Sequence, residues 1–418
     1  MVAALGYFVD IYDLLLFSVE RIHSLVGVKG KDGFPDVPGI LGFDASKEDV
    51  QRIGKQLLNW QMGGMLIGGI FWGILGDKKG RLSVLFGSII LYSLANIANG
   101  FVQTVPQYAA LRFISGFGLA GELGAGITLV SETLSKEKRG LGTMIVATIG
   151  VFGAVVAGFM SNIITNWRTS FFIGGGMGLV LLMLRIGVFE SGMFMKTKEQ
   201  NVSRGNIFTL FSSRKKAAKY FNIILVTIPV WYVMGVLISF APELMGALKV
   251  ENFKPDVGKC IMFAYLGITF GDLASGLLSY LLKSRKKALA IFLSLTIVGV
   301  ILFFTIAPIS EFLFYSVIFY MGFATGFWAV FMSTASELFG TNIRSTVTTT
   351  APNFVRGSLI FVSMAVTYLQ DFFGHIYSKD QSYVSAVIWV GVIVFLIAGI
   401  SLWNLEETFH KDLNYNEE

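Results

Sequence analysis

Gly73-Ile-Leu-Gly-Asp77-Lys78-Lys79-Gly80-Arg81 separates two apolar runs, 58–76 and 82–102, with barely enough chain between them to turn around. Each run is long enough to cross a bilayer core, which takes about 20 mostly apolar residues in a helix. The stretch between them carries two lysines and an arginine, the residues membrane proteins keep on the cytosolic side. Two spans joined by a short basic turn are therefore the local unit, and the same reading extends along the chain. Further apolar stretches lie at 3–27, 106–131, 141–164, 170–190, 220–246, 260–282, 287–308, 311–336, 345–370 and 382–404, which predicts twelve transmembrane helices. Nothing alternates with a period of two, as barrel strands would.

Composition agrees. Of 418 residues 54% are hydrophobic and only 14% charged, with a mean hydropathy of +0.67. A soluble domain carries roughly 25% charged residues, so the charge here is too sparse to coat a water-facing surface and lipid takes its place. Cys260 is the one cysteine, which excludes an intramolecular disulfide and a cysteine metal site. His23, His375 and His410 show no ligand spacing, so no metal or cofactor is expected. The net charge of +6 reflects basic loops and needs no nucleic-acid partner. The first apolar stretch begins almost at Met1, has no basic lead and carries acids. It reads as helix 1 rather than a cleavable signal.

Alternate loops hold the cations: Lys78, Lys79 and Arg81; Lys136, Lys138 and Arg139; a cluster from Lys196 to Lys219; Lys283 to Lys287; and Arg344. The exception is the long mixed-charge loop 28–57. The positive-inside rule then puts both termini in the cytosol of a bacterial-type inner membrane. Ser46 to Asp49 has the form of a capping box that would extend helix 2 outward. The run Arg214-Lys-Lys216 with Lys219 suits anchoring at anionic headgroups. The polar stretch 192–218 separates six helices (1–191) from six more (219–418). Ser131-Glu132 recurs as Ser336-Glu337 and Arg139 as Arg344, both 205 residues later. A duplicated six-helix unit around a shared central site is a common transporter build.

Several motifs carry a resemblance. Gly73 to Arg81 looks like the loop between helices 2 and 3 of the major facilitator superfamily, and Arg112-Phe-Ile-Ser-Gly116-Phe-Gly118 resembles its helix 4 motif. Ser131-Glu132 with Arg139-Gly140, Trp167-Arg168, Glu190-Ser191, Ser336-Glu337 with Arg344, and Glu407-Thr408 resemble marks of its sugar-porter and metabolite:proton symporter branches. The resemblance implies an all-α fold of two pseudo-symmetric six-helix bundles. It also implies an inner charge network of Asp77, Arg81, Glu132, Arg139, Glu190, Glu337, Arg344 and Glu407 that latches the halves together. Departures are Gly192 and Glu406 where the family pattern often has Pro, and Lys283 at the second-half counterpart of Asp77. Helix 7, Ile228-Pro-Val-Trp231-Tyr232, lacks the Gln-Gln and Asn that sugar porters use, which turns the expectation away from a sugar.

Ionisable residues deep in the membrane cost several kcal/mol unless they face a cavity or a partner, so they are the first functional candidates. Helix 1 carries Asp10, Asp13 and Glu20, spaced to share one face. Arg112 and Glu122 follow on helix 4, Arg185 on helix 6, Asp272 on helix 8 and Arg356 on helix 11. The resemblance sets Asp13 opposite Arg112; a depth count pairs Asp13 with Glu122 and Glu20 with Arg112 instead. Asp10, Asp13, Arg112 and Glu122 are the proton-coupling candidates, against the alternative of static pairs within the bundle. Arg356, in Pro352-Asn353-Phe-Val-Arg356, has Val151 at its repeat counterpart and suits capture of a carboxylate or phosphate. Its alternative is a pair with Asp272. Asn353, Trp328 and Tyr232 complete the expected substrate site. Trp60, Trp231, Tyr265 and Phe327 are further aromatics open to a cavity or a packing role.

No Ser/His/Asp set, metal cluster or phosphate loop marks an enzyme, and the tail after Trp403 is too short for a signalling domain. The expectation is a monomeric, proton-coupled symporter of a small organic anion, embedded in lipid and working by alternating access. A sugar or polyol porter and a drug-type antiporter are the alternatives.

Overall fold

The computed structural model describes residues 2–29, 36–133, 136–185, 205–340, 342–409 and 411. The first three spans are α1 (Val2–Leu25), α2 (Lys47–Lys79) and α3 (Arg81–Asn99). The fourth is α4 (Val105–Leu119) continued by α5 (Glu122–Thr133), and α6 (Lys136–Ile163) and α7 (Trp167–Leu184) complete the first six. The seventh span is segmented into α8 (Arg214–Leu225), α9 (Ile228–Tyr232), a π-helical turn over Val233–Ile238, and α10 (Ala241–Ala247). After it come α11 (Val257–Leu281), α12 (Arg285–Thr305), α13 (Glu311–Thr325) continued by α14 (Trp328–Leu338), α15 (Arg344–Gly374) and α16 (Lys379–Asn404).

Among the described residues nine spans are long and apolar enough to cross a membrane. The other three, α1, α2 and α15, are equally long but carry polar residues such as Asp10, Lys55 and Arg356. Burial follows the same logic. Phe101, Tyr368, Phe312 and Trp403 are 68–83% exposed, while Asp10, Asp13, Arg112, Arg185 and Arg356 are at most 1% exposed. Apolar side chains face outward and charge is sequestered between helices, as a lipid solvent demands.

Short polar side chains start the helices. Ser46 Oγ accepts from Asp49 N at 3.0 Å and lengthens α2 outward as the sequence predicts. Asp256 caps α11 through Lys259 N at 2.7 Å, and Ser284 caps α12 through Lys287 N at 3.1 Å. Each satisfies an N–H that the helix cannot. Gly80, at φ 102°, is the whole connection between α2 and α3, so Asp77 to Lys79 form the last turn of α2 rather than a loop. In the long loop, Gly27–Val28 and Val37–Pro38 form a small antiparallel hairpin that the sequence does not signal. In the described part of the middle stretch, from 205, a 3-10 turn, Ile207–Phe211, buries Leu210, and α8 begins at Arg214.

The duplication reaches the backbone. Leu119 ends α4 and Thr325 ends α13; Glu122 opens α5 and Trp328 opens α14. Both edges of the break recur 206 residues later. The two halves meet chiefly along α2 against α15 and α6 against α11. Gly73 of α2 lies on Thr346 of α15, and Gly158 of α6 on Gly258 of α11. Small residues let these backbones approach closely.

Cross-half contacts close both ends. At the end bearing the basic loops, Asp77 Oδ2 accepts from Thr346 N at 2.8 Å and Thr346 Oγ1 at 2.7 Å. A carboxylate of the first half thus completes the first turn of α15 in the second. At the opposite end, Arg21 Nη1 of α1 donates to Glu243 Oε1 of α10 at 2.8 Å, and Arg21 Nη2 to Ser239 O at 3.0 Å. Asp77→Ala removes the acceptor from two donors, each such bond contributing about 1.5–3 kcal/mol. In a Cys260→Ser background carrying Tyr7→Cys, this change should raise labelling by a membrane-impermeant maleimide from the basic side on the order of 100-fold. Unchanged labelling would show that Asp77 does not hold this end shut.

Candidate functional site

A central cavity lies where α1, α6, the seventh span, α11 and the α13–α14 break converge. Tyr7, Trp231, Tyr265, Thr325, Trp328 and Arg356 are among its walls. It is narrow, with a volume of about 30 Å³. Arg356 is 1% exposed and its guanidinium lies over the Trp328 ring at 5.6 Å. Its Nε and Nη1 are buried without a hydrogen-bond partner, and it forms no ion pair among the described residues. Asp272, the alternative partner from sequence, is committed elsewhere: its Oδ1 accepts from Ala329 N at 3.1 Å and caps α14 at the break. Asp10 of α1 is a second buried charge of this kind: its two carboxylate oxygens are also unbonded among the described residues. An arginine and an aspartate without direct contact or external partners are an unusual pairing in a membrane interior.

Glu122 has the opposite character. Arg185 of α7 grips both its oxygens, with Nη1 to Oε2 at 2.9 Å and Nη2 on Oε1. The depth count that put Glu122 against Asp13 therefore misplaces it. Asp13 packs against Gly174 of α7, and Asn96 of α3 stands between it and Arg112. Arg112 Nη2 donates to Asn96 Oδ1 at 2.8 Å, and the guanidinium lies 5.0 Å over the Phe171 ring. Asp13 and Arg112 are thus neighbours through an amide and not a direct pair. Glu20, which the depth count gave to Arg112, takes His23 Nδ1 at 3.0 Å and Ser170 Oγ at 2.8 Å.

Of the expected substrate residues, Arg356 and Trp328 share the cavity. Tyr232 does not line it: its hydroxyl donates to Val387 O of α16 at 2.9 Å, and the adjacent Trp231 lines the cavity in its place. One residue rotates a helical position by about 100°, enough to exchange the two. Asn353 Nδ2 donates to Ala120 O at 2.8 Å and Thr349 O at 2.7 Å, tying α15 to the α4–α5 break rather than facing the cavity. Trp231 and Tyr265, among the further aromatics left open to a cavity role, line it; Tyr7 and Asn96 went unselected because nothing in their local spacing marks them.

Several members of the expected inner charge network have described contacts. Arg81 lies 3.6 Å from Asp77 and donates to Gly76 O at 2.8 Å. Glu337 takes Arg285 Nη2 at 3.0 Å and Thr408 Oγ1 at 2.7 Å, while Arg344 donates to Ser336 O at 3.2 Å. Glu190 and the side chains of Glu132 and Arg139 lie outside the described residues. Glu407, exposed beyond α16, receives Ser284 Oγ and the backbone N–H groups of Arg285 and Phe409 at 2.8 and 3.0 Å. Partial burial pushes its carboxyl upward, but these donors outweigh burial and hold it below the usual carboxylate range.

Against this geometry, residues 53–363 match the Major Facilitator Superfamily. The chain belongs to that family and is an integral membrane transporter, not an enzyme. It is 26% identical over 321 residues to a probable 4-methylmuconolactone transporter of Cupriavidus pinatubonensis, covering 72% of each chain. It is 29% identical over 248 residues to the 3-(3-hydroxy-phenyl)propionate transporter of Escherichia coli, covering 55% of this chain and 56% of that one. It is 36% identical to the niacin transporter of Acinetobacter baylyi over 115 residues, covering 27% of this chain and 26% of that one. Its fold matches the solved proton:xylose symporter XylE at a TM-score of 0.71 and 16% identity, over 99% of this chain and 96% of the other.

Two outcomes follow. Glu122→Gln leaves Arg185 buried and unpaired, which should cost about 3–5 kcal/mol and lower the melting temperature of the purified protein. Adding Arg185→Met should recover much of the loss; no difference between single and double variants would mean the pair is not coupled. Glu407 has a folded pKa below its unfolded value, so its contribution is present above the ordinary carboxylate range. It is lost as pH falls from about 4.3 through the lower folded value. Melting temperature should drop over that window, and less steeply in Glu407→Gln.

Proposed function

We propose that this transporter is a proton-coupled symporter of a small organic anion, working by alternating access in a bacterial cytoplasmic membrane. The basic loops and both termini face the cytosol by the positive-inside rule, and the working unit is the monomer. Arg356 is the anion receptor and Trp328 the platform beside it. The buried Arg356 guanidinium, with Nε and Nη1 unbonded and no ion pair among the described residues, carries this reading, because such a charge calls for an anion. The relatives named for niacin and 3-(3-hydroxy-phenyl)propionate add support, since both compounds are carboxylic acids.

Asp10 and Asp13 are the proton carriers. Neutralising Asp10 leaves Arg356 fully available to a substrate carboxylate, so one proton and one anion enter together. Arg112, through Asn96, tunes Asp13, and Glu122 with Arg185 frames the site from the first half. Protonation and substrate then bias which end opens by their differential affinity for the two states. Asp77, Arg81, Glu337, Arg344 and Glu407 are assigned to the inner latch, together with Glu132, Arg139 and Glu190.

The test is substrate-induced proton movement in proteoliposomes loaded with a pH dye. One pool holds nicotinate, 3-(3-hydroxyphenyl)propionate and 4-methylmuconolactone; the other holds xylose and other sugars and polyols. Acids should give the signal. Arg356→Ala should lower uptake roughly 100-fold, the effect of removing one member of a buried charge contact. Asp13→Asn should abolish uphill uptake while leaving exchange. A signal from sugars alone would overturn the anion assignment, and uphill uptake by Asp13→Asn would remove that residue from coupling.

A further inference from the structure

A second cavity stands next to the central one, toward the end opposite the basic loops. In this closed arrangement it is a small gap of about 10 Å³ between Lys55 and Asn59 of α2, Phe240 after the π-helical turn, Leu359 and Ser363 of α15, and Tyr383 of α16. The two cavities succeed each other along shared elements. On α15, Arg356 belongs to the central one and Ser363 to the outer one, about 10 Å further along the helix. On the seventh span, Trp231 and Met234 line the first, Gly235 and Phe240 the second. Gly235 and Leu359 form the partition: a Cβ on Gly235 would stand 2.6 Å from the Leu359 side chain.

Lys55 lines this outer chamber, and the charge around it is lopsided. The first half supplies two cations, Arg21 and Lys55, and the second supplies one acid, Glu243. Arg21 is 2% exposed, bonds Glu243 and stacks on Phe240 at 4.3 Å. Lys55 forms no ion pair among the described residues; its Nζ is held over the rings of Phe240 at 5.7 Å and Tyr383 at 5.1 Å. Tyr383 is 5% exposed, and its buried hydroxyl, near the Gln51 side chain, makes no hydrogen bond of ordinary geometry among the described residues. A buried hydroxyl, an ammonium resting on rings, and one acid bonded to Arg21 with a second cation nearby together describe an incomplete anion site.

We propose that this chamber is a staging site for the carboxylate of the incoming organic anion, and that Glu243 is the acid the substrate displaces. The inference rests on the anion reading above. Arg21 and Glu243 belong to opposite halves, so opening this end must part them. The rim of the first half then carries Arg21 and Lys55 without a counter-ion. A carboxylate can take Arg21 in its fork and Lys55 as a point charge, with Tyr383 as a further donor and Phe240 against its apolar body. When the end closes, Glu243 reclaims Arg21 and the released carboxylate moves one chamber inward, to Arg356.

The test measures equilibrium binding of radiolabelled benzoate, nicotinate and 3-(3-hydroxyphenyl)propionate to the purified full chain, with nicotinamide as the neutral control. In Arg356→Ala, which removes the central receptor, binding of at least one acid should persist. Adding Glu243→Gln should tighten it roughly tenfold, the scale of one charge-assisted hydrogen bond, and adding Lys55→Gln should abolish it. Nicotinamide should respond to neither change. In proteoliposomes, Lys55→Gln should raise the half-saturating concentration from the outer face several-fold, leave it unchanged from the inner face, and flatten its salt dependence. A merely structural lysine would affect both faces alike. Acid binding that is absent in Arg356→Ala/Glu243→Gln, or indifferent to Lys55, overturns the staging site even if acids are transported. Transport of sugars alone with acid binding intact here overturns the role of Arg356 and leaves the chamber as an anion site.

Discussion

A positive charge held in the membrane interior without a fixed partner is the constraint around which this molecule is arranged. Arg356 occupies a place where isolated charge costs several kcal/mol, and its side chain rests on an indole instead of a carboxylate. Asp10 of α1 is likewise buried, with neither carboxylate oxygen bonded among the described residues. Glu122 and Arg185, one bundle over, show the contrast: bidentate, mutually satisfied and fixed. The same two chemical groups serve as scaffold when they are bonded and as a working site when they are held apart.

That arrangement requires a closed chamber. Water reaching Arg356 from both ends would solvate the charge and remove the preference for a substrate anion. The halves are therefore sealed at either end by contacts of different kinds. One is a carboxylate set on a helix terminus, Asp77 on Thr346; the other is a guanidinium–carboxylate pair, Arg21 with Glu243. Small residues along α2 and α15 bring the halves close enough for both to form.

Length and apolarity placed the spans, because crossing a bilayer constrains every residue of a helix in the same way. The repeat was legible too, and the recurrence of the α4–α5 break at α13–α14 extends it from sequence motifs to backbone geometry. What stayed hidden depends on register between helices. Trp231 and Tyr232 are adjacent in sequence, and only packing against α16 decides which one meets the cavity. Asn96 reads as an ordinary polar residue of α3 until Asp13 and Arg112 arrive on either side. Arg21 directly follows Glu20 and so leaves the acidic face of α1, and Glu243 lies 222 residues away. The breaks at Ala120–Gly121 and Gly326–Phe327 and the π-helical turn are likewise tertiary outcomes that helical periodicity does not encode.

The shared cap at Asp77 has a thermodynamic consequence of its own. The opening N–H groups of α15 are completed by a side chain that belongs to the other half of the molecule. When the halves separate there, neither the carboxylate nor the exposed helix start can remain bare, and solvent must take up the vacated bonds. Opening this end is thus a hydration reaction, with water on the reactant side. Its equilibrium varies with water activity, so solutes excluded from the crevice draw the molecule toward its sealed form. The osmotic state of the adjoining compartment is in that sense an additional variable of the transport cycle.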